Sequence, residues 1–165
     1  MVKRVAIDHV TAIVGDGAEA AAALSRILGV SAPAPLRLPS MDIRTFRVGN
    51  VELHVNAPTG PGPVADHHRG HGTSFHHLAL RVESLEGFLA SLEGSGIVAR
   101  GAPVATGPGI REVFLDPETT GGLWIQLVER DPEGCGELDP EAIERLARAQ
   151  PLDDGMDDGE DDDDR

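Results

Sequence analysis

The chain is poor in cysteine and aromatic residues and has no tyrosine. Cys135 is its single cysteine among 165 residues, which excludes an intrachain disulfide and a thiolate-rich zinc cluster. No apolar run approaches the roughly 18–20 residues that cross a bilayer. The start, MVKRVAIDHV, lacks the long apolar stretch and the cleavage site of a secretory signal. We therefore expect a cytoplasmic protein without a membrane partner.

Basic residues are also scarce. The chain has 14 Lys and Arg against 28 Asp and Glu, which gives a formal net charge of −14. Residues 151–165 hold nine of the acids and one base, so this segment accounts for −8 and the rest of the chain for −6. Even without this segment the chain has a negative net charge, which repels the phosphate backbone of nucleic acids, so nucleic-acid binding is not expected.

The length and the 40% content of hydrophobic residues favour a single domain with a sizeable core, which we place at residues 1–130. Residues 59–73, TGPGPVADHHRGHGT, are rich in Gly, Pro and His and lack periodicity, which is typical of a linker. This linker would separate two modules of similar length, residues 1–58 and 74–130.

A C-terminal extension follows at residues 131–150. In this extension Asp139 is placed to cap a short helix that has Pro140 in its first position. The acidic tail at 151–165 has almost no apolar residue and is predicted to be disordered. A solubilising role is the simpler interpretation of this tail, and binding of a basic partner is the alternative.

The two modules repeat one pattern. Each begins with a strand, continues through a helical stretch and a gap rich in Pro or Gly, and ends with a short strand and a hairpin. Equivalent positions are separated by 68, 67 and 72 residues, in the order His9 to His77, Ile43 to Ile110, and His54 to Gln126. The sequence therefore predicts an α+β fold made of a duplicated βαβββ unit.

Side chains alternate between the two faces of a strand. One face of the predicted sheet is apolar and suits packing under helices. The other face carries a polar group on four strands, with two aromatic residues beside it: His9, His54, His77, Gln126, Glu52, Phe75 and Trp124.

Buried polar groups cost free energy unless they are paired or bind a ligand. A divalent metal ion is the simplest partner for His9, His54, His77 and Gln126, because imidazole suits zinc, cobalt, nickel, iron and copper and an amide oxygen can complete the shell. For any one histidine, an ordinary hydrogen-bonded role is the alternative. The symmetry of the repeat favours the metal for the set.

The segments IDHV, VGNVELHVNAP, GTSFHHLAL and FLDPETTGGLWIQLVE resemble the vicinal oxygen chelate superfamily, which includes glyoxalases, bleomycin resistance proteins and dioxygenases. The resemblance covers about residues 5–130 and is strongest to the methylmalonyl-CoA epimerases. It implies two βαβββ modules that form a cup-shaped open barrel around a divalent Co, Ni, Zn, Mn or Fe ion, usually in a homodimer. His9 and His77 match the family's histidine ligands. His54 stands where the family often has Gln or Glu. Gln126 stands where the family nearly always has a Glu ligand.

The resemblance also identifies a departure from epimerase chemistry. In those enzymes the metal stabilises an enolate oxygen while two carboxylates move a proton next to a thioester carbonyl. One carboxylate is replaced here by Gln126, and there is no Glu near Ile43 where the other is expected. A neutral ligand set leaves the ion its full charge, which favours an anionic ligand. Candidate groups for proton transfer are Glu52 and Glu112, followed by Asp42 and His76.

Further residues are candidates for contact with substrate. Arg44 and Arg111 occupy equivalent repeat positions and suit a carboxylate or phosphate, with a surface salt bridge as the alternative. Phe75 and Trp124 suit an apolar wall. The function implied is a metal-dependent isomerase or lyase acting on a small molecule, such as an acyl-CoA or a 2-oxo compound. The alternatives are a non-catalytic binding protein of the antibiotic-sequestering type and a lyase like glyoxalase I.

Overall fold

The computed structural model describes residues 5–132 and 136–149. None of the helices in these residues has both the length and the apolar composition of a bilayer-spanning segment. In chain order the elements are β1 (Ala6–Ile13), α1 (Gly17–Leu28), β2 (Leu36–Arg37), β3 (Met41–Val48), β4 (Val51–Pro58), α2 (Pro63–His71), β5 (Ser74–Val82), α3 (Leu85–Ala90), β6 (Val104–Gly107), β7 (Ile110–Phe114), β8 (Ile125–Arg130) and α4 (Pro140–Arg148), with a 3-10 turn at Pro117–Thr119.

All eight strands belong to one curled sheet in the order β2-β3-β4-β1-β5-β8-β7-β6. The β1–β4 and β5–β8 pairings on either side of the centre are parallel, whereas β1 and β5 run antiparallel at the centre of the sheet. Elements β1 to β4 with α1, and β5 to β8 with α3, therefore form two βαβββ modules joined by the β1–β5 pair. The predicted α+β fold of two modules in a half-barrel is confirmed.

The outer, convex face of the sheet is covered by α1 and α3. Helix α1 packs through Ala21 on Phe46 and Val55, and α3 packs through Leu85 on Leu127. Each helix starts at a side-chain cap, since Asp16 accepts hydrogen bonds from the first turn of α1 and Ser84 does the same for α3. The capped amphipathic helices thus form the ordinary core that the sequence pattern predicts on this face.

The inner, concave face is covered by α2 and α4. Val64 of α2 and Ala147 of α4 pack in one cluster with Ile13 and Ile43, whose side chains project from β1 and β3 on this face. The cluster joins the end of β1 to the β2–β3 edge of the sheet. Two helices therefore lie over the face that carries the predicted polar site.

Helix α2 occupies most of the segment 59–73 that was predicted as a linker. Pro63 at its start fits the first turn of a helix, where no backbone N–H is needed. Helix α4 begins at Pro140, and the side chain of Asp139 accepts hydrogen bonds from two backbone N–H groups of the first turn, as the sequence predicts. The predicted tail at 151–165 lies outside the described residues.

Two β-bulges interrupt the central β1–β5 pair. On β1 the register shifts around Asp8, and on β5 it shifts around His76. A bulge inserts one extra residue into a strand and changes the direction of the side chains next to it. Each central strand can therefore present two consecutive side chains, Asp8 with His9 and His76 with His77, to one site.

Candidate functional site

The three histidines predicted as ligands meet on the concave face. His9 on β1 and His77 on β5 approach with 3.3 Å between their Nε2 atoms. The ring of His54, on β4, stacks on His9 with 4.1 Å between ring centroids. These strands are neighbours in the order β4-β1-β5, so the sheet itself brings the three imidazoles together.

Gln126 provides an amide on the adjacent strand β8. It is only 4% exposed, and among the described residues its Oε1 atom has no hydrogen bond of good geometry, although the imidazole of His77 stands next to it. A buried acceptor without a partner costs about 1–3 kcal/mol. The Gln126 oxygen is therefore suited to a cation or to a donor group of a bound ligand.

Asp8 fixes the proton of His9. Its Oδ1 lies 3.0 Å from His9 Nδ1, and Arg130 donates two hydrogen bonds of 2.8 and 2.9 Å to the same carboxylate. Burial alone would raise the pKa of Asp8, but the hydrogen bonds from His9 and Arg130 outweigh burial and hold that pKa well below its usual range. Because His9 donates from Nδ1 to an ionised carboxylate, its Nε2 lone pair is left for another partner, as in many histidine ligands of metals.

His77 is held neutral by its surroundings. Burial lowers its pKa well below the usual value, and the nearby His76, His9 and His54 act in the same direction. Its Nδ1 lies 2.8 Å from Nδ1 of His76, and its Nε2 lies 3.0 Å from Oγ1 of Thr11. Burial also lowers the pKa of His76, to about 3. A neutral imidazole is the form that binds a metal ion.

The donor set fits a metal ion in part. Within residues 5–132 and 136–149, no three His, Cys, Asp or Glu side chains are grouped so as to hold one. The Nε2 atom of His54 lies 3.2 Å from Glu52 Oε2. Neighbouring nitrogen ligands at about 2.0–2.1 Å from one ion stand roughly 3.0–3.4 Å apart, and the 3.3 Å between His9 and His77 falls in this range. The spacing of His9 and His77 thus suits one ion, the amide of Gln126 lies next to His77, and His54 joins them only if its ring turns away from Glu52.

Glu52 and Glu112, the two predicted proton-transfer groups, lie in contrasting environments near His54. Glu112 on β7 is 8% exposed, and burial raises its pKa against the opposing effects of a hydrogen bond with Thr106 and of the nearby Arg130. Glu52 accepts a 2.8 Å hydrogen bond from Arg47, and the pKa of Glu52 is lowered, mainly by its hydrogen bond with His54. At neutral pH the sheet therefore favours an ionised Glu52, while Glu112 keeps its proton to a higher pH than an exposed glutamate does.

The structure does not bring the two predicted arginines to the histidines. Arg111 is on the convex face, where its guanidinium pairs with Glu86 of α3 and lies 3.6 Å from Glu129. Arg44 lies against the start of α1, so close that a β-carbon on Gly17 would stand 2.8 Å from its Nη1. The salt bridge that was the alternative for Arg111 is the arrangement present.

The two predicted aromatic residues have different surroundings. Phe75 is 75% exposed, because the bulge at His76 turns it out of the site. Trp124 stays close, with its ring stacked on His76 at 5.4 Å. The aromatic ring that touches His77 is Phe114, at 5.1 Å in a T-shaped contact.

Sequence reasoning missed Asp8, Phe114 and Arg130, and it ranked His76 only as a lesser candidate for proton transfer. Phe114 could have been found, since it follows Glu112 by two positions on one strand and shares its face. Asp8 and His76 each precede a predicted ligand directly, but alternation placed them on the opposite face and a bulge leaves no clear mark in the sequence. No feature of the sequence pointed to Arg130, because Arg130 and Asp8 are 122 residues apart and only the fold brings them together.

Comparison of the sequence with known protein families gives one match. A sequence profile described as the glyoxalase/bleomycin resistance protein/dioxygenase superfamily matches residues 8–114. No curated protein matches the chain significantly.

Solved structures share the fold at low identity. A hypothetical protein from Bacillus halodurans C-125 is 20% identical with a TM-score of 0.70, over 80% of this chain and 99% of that one. The methylmalonyl-CoA epimerase of Mycobacterium tuberculosis is 23% identical with a TM-score of 0.66, over 77% and 89%. A variant of the Streptomyces coelicolor epimerase bound to 2-nitronate-propionyl-CoA is 18% identical with a TM-score of 0.66, over 80% and 100%. The profile match spans most of both modules, and this chain therefore belongs to the glyoxalase/bleomycin resistance protein/dioxygenase superfamily.

Proposed function

We propose that this protein binds one divalent metal ion on the concave face and moves a proton at a carbon atom next to a carbonyl group. The observation that carries the proposal is the 3.3 Å approach of His9 and His77, one from each module, with the buried amide of Gln126 next to His77. The epimerases among the structural relatives support an acyl-CoA thioester as the first substrate class to test, with 2-oxo acids as the second.

The proposed ligands are His9, His77 and Gln126, with His54 as the fourth after its ring turns. A divalent ion held there would act as a Lewis acid that polarises a carbonyl oxygen. All four side chains are neutral as ligands, so cobalt, nickel, zinc, manganese and iron remain candidates. Asp8 contributes by fixing His9 with its Nε2 lone pair facing His77.

Glu112 is the proposed proton carrier. The ionised carboxylate would take the proton from carbon, and the carboxylic acid so formed would return one; burial raises the pKa of Glu112 and so makes its carboxylate a stronger base. Glu52 is the second candidate, and it is held by Arg47 and His54. When His54 turns towards the other ligands, its hydrogen bond with Glu52 breaks. One rearrangement would therefore make His54 a ligand and free Glu52 for proton transfer.

The proposal includes the homodimer and the cytoplasmic location that the sequence indicated. Light scattering on the purified protein at several concentrations tests the dimer directly.

Purified protein is expected to carry about one divalent metal ion per chain after growth in zinc, cobalt and nickel. His77→Ala removes a proposed ligand and is expected to abolish this binding, whereas His71→Ala, at an exposed position of α2, leaves it unchanged. Elemental analysis and calorimetric titration measure both. Protein that stays free of metal under all these conditions contradicts the proposal.

The protein is expected to exchange the α-hydrogen of an acyl-CoA or 2-oxo acid for deuterium in heavy water. Glu112→Gln keeps the shape of the side chain but removes its proton transfer, so we expect the exchange rate to fall by roughly 10²–10⁴-fold. Glu93→Gln, an exposed change of the same kind, is the control. Equal exchange rates in the two variants would exclude Glu112 as the proton carrier.

A non-catalytic binding protein is the second candidate, favoured by the amide of Gln126 at a position where the family nearly always has a carboxylate. Such a protein retains a small molecule at one per chain without turnover and without dependence on metal. Mass spectrometry of the ligands that remain on the native protein, before and after treatment with a chelator, distinguishes it from the enzyme.

A further inference from the structure

His76 is in direct contact with the proposed ligand His77. The Nδ1 atoms of the two rings lie 2.8 Å apart, which is a hydrogen-bond distance. Two unprotonated imidazole nitrogens would repel each other at this distance, so one of the two atoms carries a proton. The bulge on β5 allows this contact, because it lets two consecutive side chains face one site.

The other ring nitrogen of His77 decides which of the two atoms holds that proton. Nε2 of His77 lies 3.3 Å from Nε2 of His9, whose lone pair is available because Nδ1 of His9 donates to Asp8. A neutral imidazole has one N–H group and one lone pair. With its proton on Nε2, His77 donates to His9 and accepts from His76. With its proton on Nδ1, His77 donates to His76, and its Nε2 lone pair faces that of His9 in the arrangement that suits a cation.

Aromatic contacts hold the ring of His76 towards His77. The ring stacks on Trp124 with 5.4 Å between centroids, and the ring of His67 meets it edge-on at 4.7 Å. Nε2 of His67 lies 3.0 Å from the hydroxyl group of Ser74, so helix α2 supports the stack from its outer side. Burial lowers the pKa of His76 to about 3, and the neutral ring has a lone pair with which to accept a proton.

We infer that His76 is the positioning residue of His77: it accepts the Nδ1 proton of His77 and so leaves the Nε2 lone pair of that ring to the metal ion. Without the ion the contact runs in the opposite direction, with His76 as the donor. The change conserves protons, since one proton crosses the contact, Nε2 of His77 releases one to water and Nε2 of His76 takes one up. The hydroxyl group of Thr11, 3.0 Å from Nε2 of His77, can accept or donate and so accommodates both forms. The ion rests on the proposed function, whereas the hydrogen bond between the two rings does not.

His76→Leu and His76→Asn separate this role from packing. Both changes remove the ring that stacks on Trp124, but the asparagine oxygen takes the place of Nδ1 and still accepts a proton from His77, whereas leucine has no acceptor. We expect His76→Leu to weaken zinc binding by roughly 10–100-fold, as loss of such a partner commonly does, and His76→Asn to stay close to the original chain. Calorimetric titration measures both. Equal losses in the two variants would mean that the ring acts by packing alone and would overturn the inference.

Nitrogen NMR of the unaltered chain gives a second readout, which stands even if a variant unfolds. Long-range proton–nitrogen spectra of labelled histidines show which ring nitrogen carries the proton. Without zinc we expect protons on Nδ1 of His76 and Nε2 of His77, and with zinc a proton on Nδ1 of His77. A spectrum without a proton on either Nδ1 atom, or with the His77 proton on the same nitrogen in both states, overturns the inference. A chain that binds no zinc but has the proton on Nδ1 of His76 refutes the proposed function and supports the pairing of the two rings.

Discussion

Asp8→Asn is expected to lower the free energy of unfolding by about 3–5 kcal/mol, the cost of breaking a buried ion pair from one side. Asp8 and the side chain of Arg130 are joined by two hydrogen bonds, and the carboxylate is 4% exposed. The asparagine keeps the shape of the side chain but removes the negative charge that the guanidinium of Arg130 contacts most closely, so that Glu52, at 4.0 Å, is a more distant counter-charge. It also removes the acceptor that fixes the His9 proton.

The pH dependence of stability gives a second readout for Asp8. Its pKa is lowered in the folded protein, so its contribution is fully present above the ordinary carboxyl pKa of the unfolded chain. That contribution is lost as the pH falls below about 4 towards the folded value. Urea unfolding between about pH 3 and pH 7 is expected to show this loss in the original chain and not in Asp8→Asn.

Asp66→Asn is the matched control for Asp8→Asn. Asp66 pairs with Arg69, whose side chain is 73% exposed, and such surface pairs are worth about 0–1 kcal/mol. A loss in Asp8→Asn no larger than the loss in this control would show that the Asp8–Arg130 pair does not stabilise the β1 bulge.

Gln126→Glu is expected to tighten metal binding at least tenfold, which corresponds to about 1.4 kcal/mol. It replaces a neutral ligand by an anionic one, so the charge of a divalent ion is partly neutralised within the shell. In metal-free protein the same change places a carboxylate at a site that is 4% exposed. We therefore expect the free energy of unfolding to fall by about 1–3 kcal/mol without metal and to recover when metal is added.

The control for Gln126→Glu is Asn56→Asp, which adds the same charge to another buried amide on the concave face. Asn56 is not a proposed ligand, so its effect on metal affinity is expected to be the smaller. Calorimetric titration with zinc or cobalt compares the two. Weaker binding in Gln126→Glu than in the original chain would place Gln126 outside the shell, and the deuterium exchange assay then shows whether proton transfer survives.

The repeat made much of the fold and the site predictable. Matching the two halves set His9 against His77 and His54 against Gln126, and strand alternation then placed all four on one face, where the structure has them. Such periodic signals are strong because a shift of one residue would move a whole strand's side chains to the other face. The start of α4 at Asp139 was equally readable, since capping is local chemistry.

The alternation of side chains along a strand could not predict the positions where β-bulges break it. The bulges bring Asp8 and His76 beside the ligands and turn Phe75 outward, and they arise from the pairing of two distant strands. Arg111 and Glu112 are neighbours on β7, so only one of them could face the site, and Glu112 does. Helix α2, within 59–73, packs on β1 and β4 and has Val64 as its buried residue. With so few apolar side chains, its composition resembles that of a linker, and the helix was not predicted.

Because the two modules meet at the antiparallel β1–β5 pair, binding of an ion between them would stabilise their association. His9 and His54 come from one module and His77 and Gln126 from the other, so an ion held by all four binds only the docked form. At an ion concentration 100 times its dissociation constant, such linkage adds about 2.7 kcal/mol to stability. The melting temperature of the protein would then rank divalent ions by affinity before any substrate is known.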